Sequence, residues 1–339
     1  MMMMNSSFFV SHAQYVPMTE YLALASVPVP VQYFPPEYIA AIHQQFYQTA
    51  PALEVPAPVT NQHKILKLQL SREQMMNNGF PVHIFHDVHV QPNEYQQNRK
   101  MFVDREDCNR VCVRCHKKFV VGPNGLQARS PTPVCFNPIT GAKETFHVTD
   151  QACKDDLTKF ESAPKDMYNR GSEMFAIDVE MVFTTKGQEV GRVTVVHESG
   201  ETVLDLFVRP AAEILDPMTR FSGLVVEDLT RATETIDSAR QKLLSLITDQ
   251  SILVGHGLYG DLKALGIIHN RVIDTSVIFR RQRRRPSLRH LTAEHLGWTI
   301  QQETHCSHED ALAALKLVYF AINNPHFLAP EFENALQGL

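Results

Sequence analysis

The sequence predicts an α/β fold in the C-terminal half of the chain, with a mixed five-stranded sheet flanked by helices. Three apolar, β-prone runs follow one another there, and only the short turn signals Lys186-Gly187 and Ser199-Gly200 separate them, which indicates antiparallel pairing. The later strand patterns alternate with helix patterns, as is typical of a sheet with helices on its faces. The predicted strands cover residues 175–183, 192–198, 203–208, 252–254 and 271–274.

The predicted helices lie between and after the last strands, and they set the bounds of the domain. They cover residues 226–229, 235–248, 259–265, 288–296 and 311–322. We therefore assign residues 172–324 to one α/β domain and residues 325–339 to a C-terminal tail.

Two regions precede this domain. Residues 1–58 are rich in proline, and we expect them to be disordered apart from a short amphipathic helix at 37–48. Residues 59–165 form an irregular accessory region. Within it, Ser71 and Gln74 have the spacing of a capping box, which predicts a helix that ends at Asn78-Gly79. The charged residues 154–170 predict a helix followed by a linker.

Bulk composition narrows the class of protein. The net charge of −5 argues against a surface that binds nucleic acid non-specifically, although a local basic groove is compatible with it. We expect no membrane span, because no apolar run is long enough, and no secretory signal, because no basic segment precedes the first apolar residues. Five of the six cysteines lie between Cys108 and Cys153, which favours reduced thiols or a metal cluster over a disulfide scaffold.

The cysteines suggest a small zinc module in the accessory region. Cys112 and Cys115 have the two-residue spacing with which two thiolates bind one zinc ion. Cys135, His147 and Cys153 could supply the remaining ligands, and we select Cys135 and Cys153 for the predicted set. Buried free cysteines are the alternative.

Two acidic residues interrupt the first predicted strand, at residues 175–182 (FAIDVEMV). Alternate residues of a strand point to one face, so Asp178 and Glu180 face the same way. Two neighbouring carboxylates repel each other and are costly to bury, and a divalent cation removes that cost. The pair therefore indicates a metal site if further acids join it.

Two more acids and a histidine follow downstream. Asp261 comes after the strand pattern 252–254 and opens a helix, and Asp310 precedes the last helix, five residues after His305. Each acid also has a structural explanation, because Asp261 is favourable near a helix N-terminus and Ser307 with Asp310 has capping-box spacing. We expect Asp274, at a strand end, to make structural hydrogen bonds only.

The order Asp178, Glu180, Asp261, His305 and Asp310 resembles the histidine subclass of the DEDD-type 3′-to-5′ exonucleases. Over residues 175–322 the chain also resembles the eukaryotic RNA exonuclease 1 homologue family. The segments that carry this resemblance are 175–183, 220–223 (RFSG), 255–262 and 272–276 (VIDTS). The resemblance implies a ribonuclease-H-like sheet and makes residues 172–324 an exonuclease catalytic domain.

The resemblance also implies an activity: a metal-dependent 3′-to-5′ exoribonuclease that releases nucleoside 5′-monophosphates from single-stranded RNA with a free 3′ end. Two Mg²⁺ or Mn²⁺ ions are expected, with Asp178, Glu180 and Asp310 at the first and Asp261 at the second. The alternative is a non-catalytic RNA- or protein-binding adaptor built on the same fold.

His305 is the implied general base, because a neutral imidazole can accept a proton near neutral pH. A tyrosine subclass has its base four residues before the last aspartate, and that position here is Cys306. We expect His308 to lie on the outer face of the helix, away from the site.

Four residues are expected to contact substrate. Met181 and Phe221 are placed against the terminal base by the resemblance, and stacking there tolerates any base. Arg283 and Arg284 belong to the basic run 280–285, for which contact with the nucleic acid is our first interpretation. A nuclear-localisation signal and a solvated loop are the other two. We expect the protein in the nucleus, with the cytoplasm as the alternative.

Overall fold

Residues 61–93, 100–282, 284–302 and 305–338 are described by a computed structural model of the chain. The predicted disorder at 1–58 and the predicted helix at 37–48 lie outside these residues. Among the described helices, none is both long and apolar enough to cross a membrane.

The described part of the accessory region consists of two short α-helices, one 3-10 helix and several short strands. In chain order they are α1 Gln62–Lys67, α2 Arg72–Asn77, β1 Val82–Ile84, β2 Asp87–His89, β3 Phe102–Val103, β4 Asn109–Val111, β5 Lys118–Val120, β6 Cys135–Phe136, β7 Lys143–Glu144, β8 Ala152–Cys153, a 3-10 helix Lys154–Lys159, and β9 Glu161–Ser162. Three antiparallel hairpins form, β1–β2, β4–β5 and β6–β7, whereas β3 and β8 pair in parallel.

The C-terminal half holds the large sheet and its helices. In chain order they are β10 Met174–Thr184, β11 Gly187–His197, β12 Thr202–Phe207, β13 Ile214–Asp216, α3 Thr219–Ser222, α4 Val226–Arg231, α5 Ile236–Leu246, β14 Ile252–Gly255, α6 Leu258–Leu265, β15 Ile267–Ile268, β16 Val272–Asp274, α7 Thr275–Ile278, α8 Leu288–Leu291, a π-helix Thr292–Leu296, α9 Ser307–Asn323, a 3-10 helix Pro325–Phe327, and α10 Pro330–Gln337.

The sheet has the strand order β12-β11-β10-β14-β16, so the predicted five-stranded mixed sheet is confirmed. β10, β11 and β12 pair antiparallel, and β10, β14 and β16 pair in parallel. A sixth strand, β13, pairs antiparallel with the far end of β10 and was not predicted. β10 therefore pairs with three other strands of the sheet.

Two helices differ in detail from their predictions. The predicted helix at 288–296 is α8 followed by one π-helical turn. The predicted helix at 311–322 begins four residues earlier, at Ser307, and Cys306 occupies the N-cap position without a side-chain cap. Ser307 is no cap because its hydroxyl instead bonds the hydroxyl of Thr194 at 2.8 Å. The capping box of Ser71 and Gln74 is confirmed.

The segments on either side of the predicted boundaries at 165 and 325 pack together in one core. Ile65, Leu68 and Met75 of the accessory region belong to the same apolar core as the sheet, and β9 pairs in parallel with β15. The predicted C-terminal tail folds as α10, whose Phe332 and Leu336 are buried in that core. These segments pack because they carry apolar faces, whose burial stabilises the fold.

Candidate active site

β10 carries the two central carboxylates of the site. Asp178 lies opposite Thr194 and Glu180 lies opposite Arg192 in the pairing with β11. The register shifts between Glu180 and Met181, which marks a β-bulge directly after the second acid. Bulges redirect side chains and are frequent beside functional sites. Glu180 is 7% exposed, so both its position and its environment are set by the sheet.

Asp261 and Asp310 reach the site from two helices. Asp261 lies in the first turn of α6, after β14, the parallel neighbour of β10. Gly257, whose φ of +79° is left-handed, occupies the N-cap position of this helix. Asp310 lies in the first turn of α9 and is 3% exposed. The four acids therefore come from three separate segments of the chain.

Electrostatics show that the four acids share one environment. Burial, followed by the charges of Glu180, Asp261 and Asp310, raises the pKa of Asp178 well above its ordinary value. Burial and the charge of Asp310 raise the pKa of Glu180 to about 8. The pKa of Asp261 is raised by burial, then by Asp274 and Glu180. Burial raises the pKa of Asp310 to about 7.

The side chains present fit a divalent cation. Oε1 of Glu180 and Oδ1 of Asp310 are buried and have no hydrogen-bond partner among the described residues. An anionic oxygen buried without a partner is unfavourable, and oxygen-preferring cations such as Mg²⁺ and Mn²⁺ use carboxylates as ligands. The orphaned oxygens and the mutually raised pKa values of the acids both point to cation binding at this site.

His305 is fixed beside this cluster. Its backbone N–H donates to the carbonyl of Phe221 at 2.8 Å, and its ring meets the Phe221 ring edge-on, with centroids 6.1 Å apart. Nδ1 of His305 lies 3.5 Å from Oδ2 of Asp310. Burial lowers the pKa of His305, which keeps the imidazole neutral near neutral pH. The structure thus brings His305 together with Asp310 and Phe221.

His308 is not on the outer face of α9, contrary to the prediction. Its ring is buried, and Nδ1 shares a 2.7 Å hydrogen bond with the hydroxyl of Thr202 on β12. The earlier start of α9 explains the difference, because the first helical turn now packs against the sheet. Asp274 makes the expected structural hydrogen bonds: its Oδ1 accepts from the amides of Gly257 and Ser276, each at 2.9 Å.

Two polar residues of the site were missed. Arg192 forms a two-pronged ion pair with Asp205, with both N–O distances 2.7 Å, and its charge opposes the raised pKa values of Asp178 and Glu180. Gln301 donates from Nε2 to Oδ2 of Asp310 at 2.8 Å and has a left-handed φ of +55°. The sequence pattern predicts that Arg192 lies on a strand, but it does not show which residue of β10 lies opposite. No local sequence pattern marks Gln301.

Two of the four predicted substrate contacts lie beside the catalytic candidates. Phe221 lies against His305, and Met181 is half-buried on β10 beside Glu180. Arg283 lies outside the described residues. Arg284 is exposed on its loop.

Within the basic run, Arg281 pairs with Glu294 at 2.8 Å and Arg280 with Glu331 at 3.5 Å. At least two of these arginines therefore contact acids of the protein itself.

A second cluster of ligand-type side chains lies in the accessory region. The Sγ atoms of Cys112, Cys115 and Cys135 and a ring nitrogen of His147 all lie within 4.8 Å of one another. Sγ of Cys112 is 3.6 Å from Sγ of Cys135, and Sγ of Cys115 is 3.4 Å from Nδ1 of His147. A tetrahedral zinc ion requires about 3.8 Å between two sulfurs and about 3.6 Å between sulfur and nitrogen. The four side chains therefore fit zinc.

Cys153, the predicted fourth ligand, does not lie in this cluster, and the fourth side chain there is His147, which the sequence also offers. Val113 donates its N–H to the carbonyl of Val148 at 2.9 Å, which holds the His147 segment beside Cys112 and Cys115. Cys153 lies further along the chain on β8, whose partner is β3 rather than this cluster. A backbone contact between distant segments decides which side chain completes the cluster, and cysteine spacing does not show it.

The thiols of this cluster differ in their environments. Burial raises the pKa of the Cys112 thiol, but hydrogen bonds from the amides of Cys115, Val148 and Arg114 outweigh it, and the net shift is downward. Burial and the neighbouring thiols Cys112 and Cys115 raise the pKa of Cys135 to about 12. A bound cation would remove that repulsion, since metal ligation requires thiolates.

Comparison with known proteins gives a consistent relationship. Residues 175–318 match the model of the RNase_T exonuclease family. RNA exonuclease 3 of Eremothecium gossypii is 30% identical over 311 residues, which cover 80% of this chain and 76% of that protein. RNA exonuclease 1 homolog of Homo sapiens is 43% identical over 291 residues, 75% of this chain and 23% of that protein. Exonuclease GOR of Pan troglodytes is 32% identical, over 80% of this chain and 43% of its own length.

Several of these curated relatives are much longer, because this chain spans only 18% to 43% of five of them. Among solved structures, the catalytic unit of Neurospora crassa Pan2, with protease and nuclease domains, is 25% identical with a TM-score of 0.44, over 57% of this chain and 36% of that one.

Proposed function

Because this chain belongs to the RNA exonuclease family of DEDD-type nucleases, we propose that it is a metal-dependent 3′-to-5′ exoribonuclease that releases nucleoside 5′-monophosphates from single-stranded RNA. One observation supports this most directly. Asp178, Glu180, Asp261 and Asp310 meet in one buried or half-buried site, and one oxygen each of Glu180 and Asp310 has no partner among the described residues. A fold that needed only stability would not keep four acids together at this cost.

The residues divide the work of hydrolysis. Asp178, Glu180 and Asp310 would hold one Mg²⁺ or Mn²⁺ ion and Asp261 a second, and Asp178 would contribute to both sites. When bound, such cations acidify the attacking water and stabilise the charge on the leaving oxygen. Gln301 fixes Oδ2 of Asp310, which leaves Oδ1 of the same carboxylate for the cation.

His305 manages the proton. Its neutral ring accepts a proton from the attacking water, and because the side chain is 35% exposed it can release that proton to solvent. Phe221 meets this ring edge-on and limits its rotation. We also place the terminal base against Phe221 and Met181, since stacking on apolar side chains tolerates any base.

A single assay tests the proposal. RNA and DNA of equal sequence, each labelled at the 5′ end or at the 3′ end, are incubated with the protein, with and without Mg²⁺ or Mn²⁺. We expect stepwise shortening of 5′-labelled RNA and immediate release of labelled mononucleotide from 3′-labelled RNA, only with a cation. RNA binding without cleavage in both cations would refute the nuclease and favour the adaptor.

We further propose that Cys112, Cys115, Cys135 and His147 hold one structural zinc ion. The support is the fit of their spacing to a tetrahedral site and the amide hydrogen bonds to Cys112, which favour a thiolate. Elemental analysis of the protein, purified without added metal, is expected to give one zinc per chain.

Nuclear residence is also proposed, on the basis of the basic run 280–285. Arg281 and Arg284 are exposed in this run. Imaging of a tagged chain, compared with a variant in which these two arginines are replaced by serine, tests it. An unchanged distribution of the variant would remove the role of the run.

A further inference from the structure

The Cys/His module, by which we mean residues 108–148, packs against the end of the strand that carries the catalytic acids. Cys112, Cys135 and Phe146 of the module form one apolar cluster with Phe183 of β10 and Leu215 of β13. Met218, which follows β13, packs against the same cluster. The module thus contacts the chain at the point where it leaves β13 for α3.

Arg114 makes a buried polar contact across this interface. It lies between Cys112 and Cys115 in the sequence, and its side chain is only 7% exposed. Its guanidinium forms an ion pair and hydrogen bond with the carboxylate of Asp216 and lies over the ring of Phe183, 5.5 Å from the centroid. A buried arginine bound in this way is held in one geometry, unlike an exposed ion pair.

Asp216 in turn shapes the segment that follows it. Its Oδ1 accepts from the amide of Met218 at 2.7 Å, and Met218 has a left-handed φ of +56°. Ser222 closes the turn by donating to the carbonyl of Pro217 at 2.8 Å. α3 is four residues long, too short to be stable without such contacts. The strained turn before α3 therefore depends on Asp216 for its geometry.

The segment ends at the active site. The carbonyl of Phe221 accepts from the amide of His305, and the Phe221 ring limits the His305 ring. A second link from the module supports the same helix, because Nη1 of Arg220 donates to the carbonyl of Ile139, between β6 and β7, at 3.4 Å. Contacts thus run without interruption from the Cys/His module to His305.

We propose that Arg114 is a positioning residue, through which the Cys/His module holds Asp216, α3 and Phe221, and thereby sets the position of His305. The role assigned to His305 rests on the proposed nuclease function. The module thereby supports the geometry of the active site, although Arg114 itself does not touch the reacting groups.

The first test compares Arg114→Ala with Arg129→Ala. Arg129 is the matched control, because it also belongs to the module and lies over the Phe146 ring at 5.0 Å, but it pairs with Glu213, at 3.2 Å, and not with Asp216. We expect kcat to fall about tenfold or more in Arg114→Ala, within the roughly 10²- to 10⁴-fold worth of a general base. Arg129→Ala should stay within about twofold.

A double-mutant cycle separates positioning from general damage. If Arg114 acts through His305, Arg114→Ala should change the rate by less than about twofold in the His305→Ala background. Multiplicative effects of the two substitutions, or an equal loss in Arg129→Ala, would overturn the proposal. If Arg114→Ala does not fold, Asp216→Asn, which preserves volume, takes its place in the same cycle.

Hydrogen exchange provides a readout that needs no activity. The amide of His305 is protected by its bond to Phe221, and we expect its exchange to accelerate at least tenfold in Arg114→Ala but not in Arg129→Ala, with zinc content equal in all three proteins. Unchanged exchange would refute the positioning role. If the wild-type chain lacked nuclease activity, this measurement would still decide whether the module holds His305.

Discussion

Replacing Glu180 with glutamine should stabilise the cation-free protein at high pH, although it removes a proposed cation ligand. Burial, then the charge of Asp310, raises the pKa of Glu180 from 4.5 to about 8 in the folded state. A carboxyl whose pKa is raised by folding binds more protons in the folded state, so stability falls as pH rises from the unfolded pKa to the folded one. Glutamine does not ionise and avoids this loss.

The size of the effect follows from the shift. One pKa unit is worth about 1.36 kcal/mol, so a rise of about 3.5 units destabilises the ionised wild-type protein by about 5 kcal/mol above pH 8. At pH 4 the carboxyl is mostly protonated in both states, and Glu180→Gln should change the free energy of unfolding little. At pH 9 the variant should be more stable than wild type by about 3 to 5 kcal/mol.

Urea denaturation with EDTA at pH 4 and pH 9 measures this difference. Glu227→Gln is the control, because Glu227 is exposed on α4 and its replacement removes no buried carboxyl. Addition of Mg²⁺ or Mn²⁺ at pH 9 should stabilise wild type and much less the variant, since binding requires the ionised carboxylate. An equal difference in the free energy of unfolding at both pH values would refute a raised pKa of Glu180 in the folded state.

Three further predictions concern the sites. Asp178→Asn should nearly abolish cleavage of end-labelled RNA while RNA binding, measured by filter retention, largely survives; near-normal turnover would refute the shared-ligand assignment. His305→Ala should cut the single-turnover rate by about 10² to 10⁴, whereas His308→Ala, which loses its bond to Thr202, should cost stability of about 1 kcal/mol and little rate. Cys112→Ser should lower both the bound zinc and the free energy of unfolding, and a wild-type protein without zinc would contradict the module.

Local patterns determined much of this protein. The alternation of the 175–182 segment put Asp178 and Glu180 on one face, and short turns made the first three strands antiparallel, as the pairing of β10, β11 and β12 confirms. The place of His305 just before α9 also followed from sequence. These features depend on neighbours within a few residues, so the period of side chains and the length of turns were sufficient.

The bulge after Glu180 shows what sequence could not provide. Counting back from the turn, where Thr184 pairs with Gly187, places Gly191 opposite Glu180. The bulge moves Arg192 to that position instead. Gly191 faces Leu224, which precedes α4, and Leu229 of α4 so closely that a Cβ there would lie 2.6 Å from Leu224. The register is therefore set by what packs on the sheet, and the sheet's own sequence does not contain it.

The fourth ligand of the Cys/His cluster and the ordering of the last residues were decided in the same way. His147, rather than Cys153, completes the cluster because the amide of Val113 donates to the carbonyl of Val148. The last residues form α10 because Phe332 packs in the core. Residue type and spacing identify what a side chain can do. Which of several capable side chains does it depends on contacts between segments far apart in the chain, and those exist only once the chain has packed.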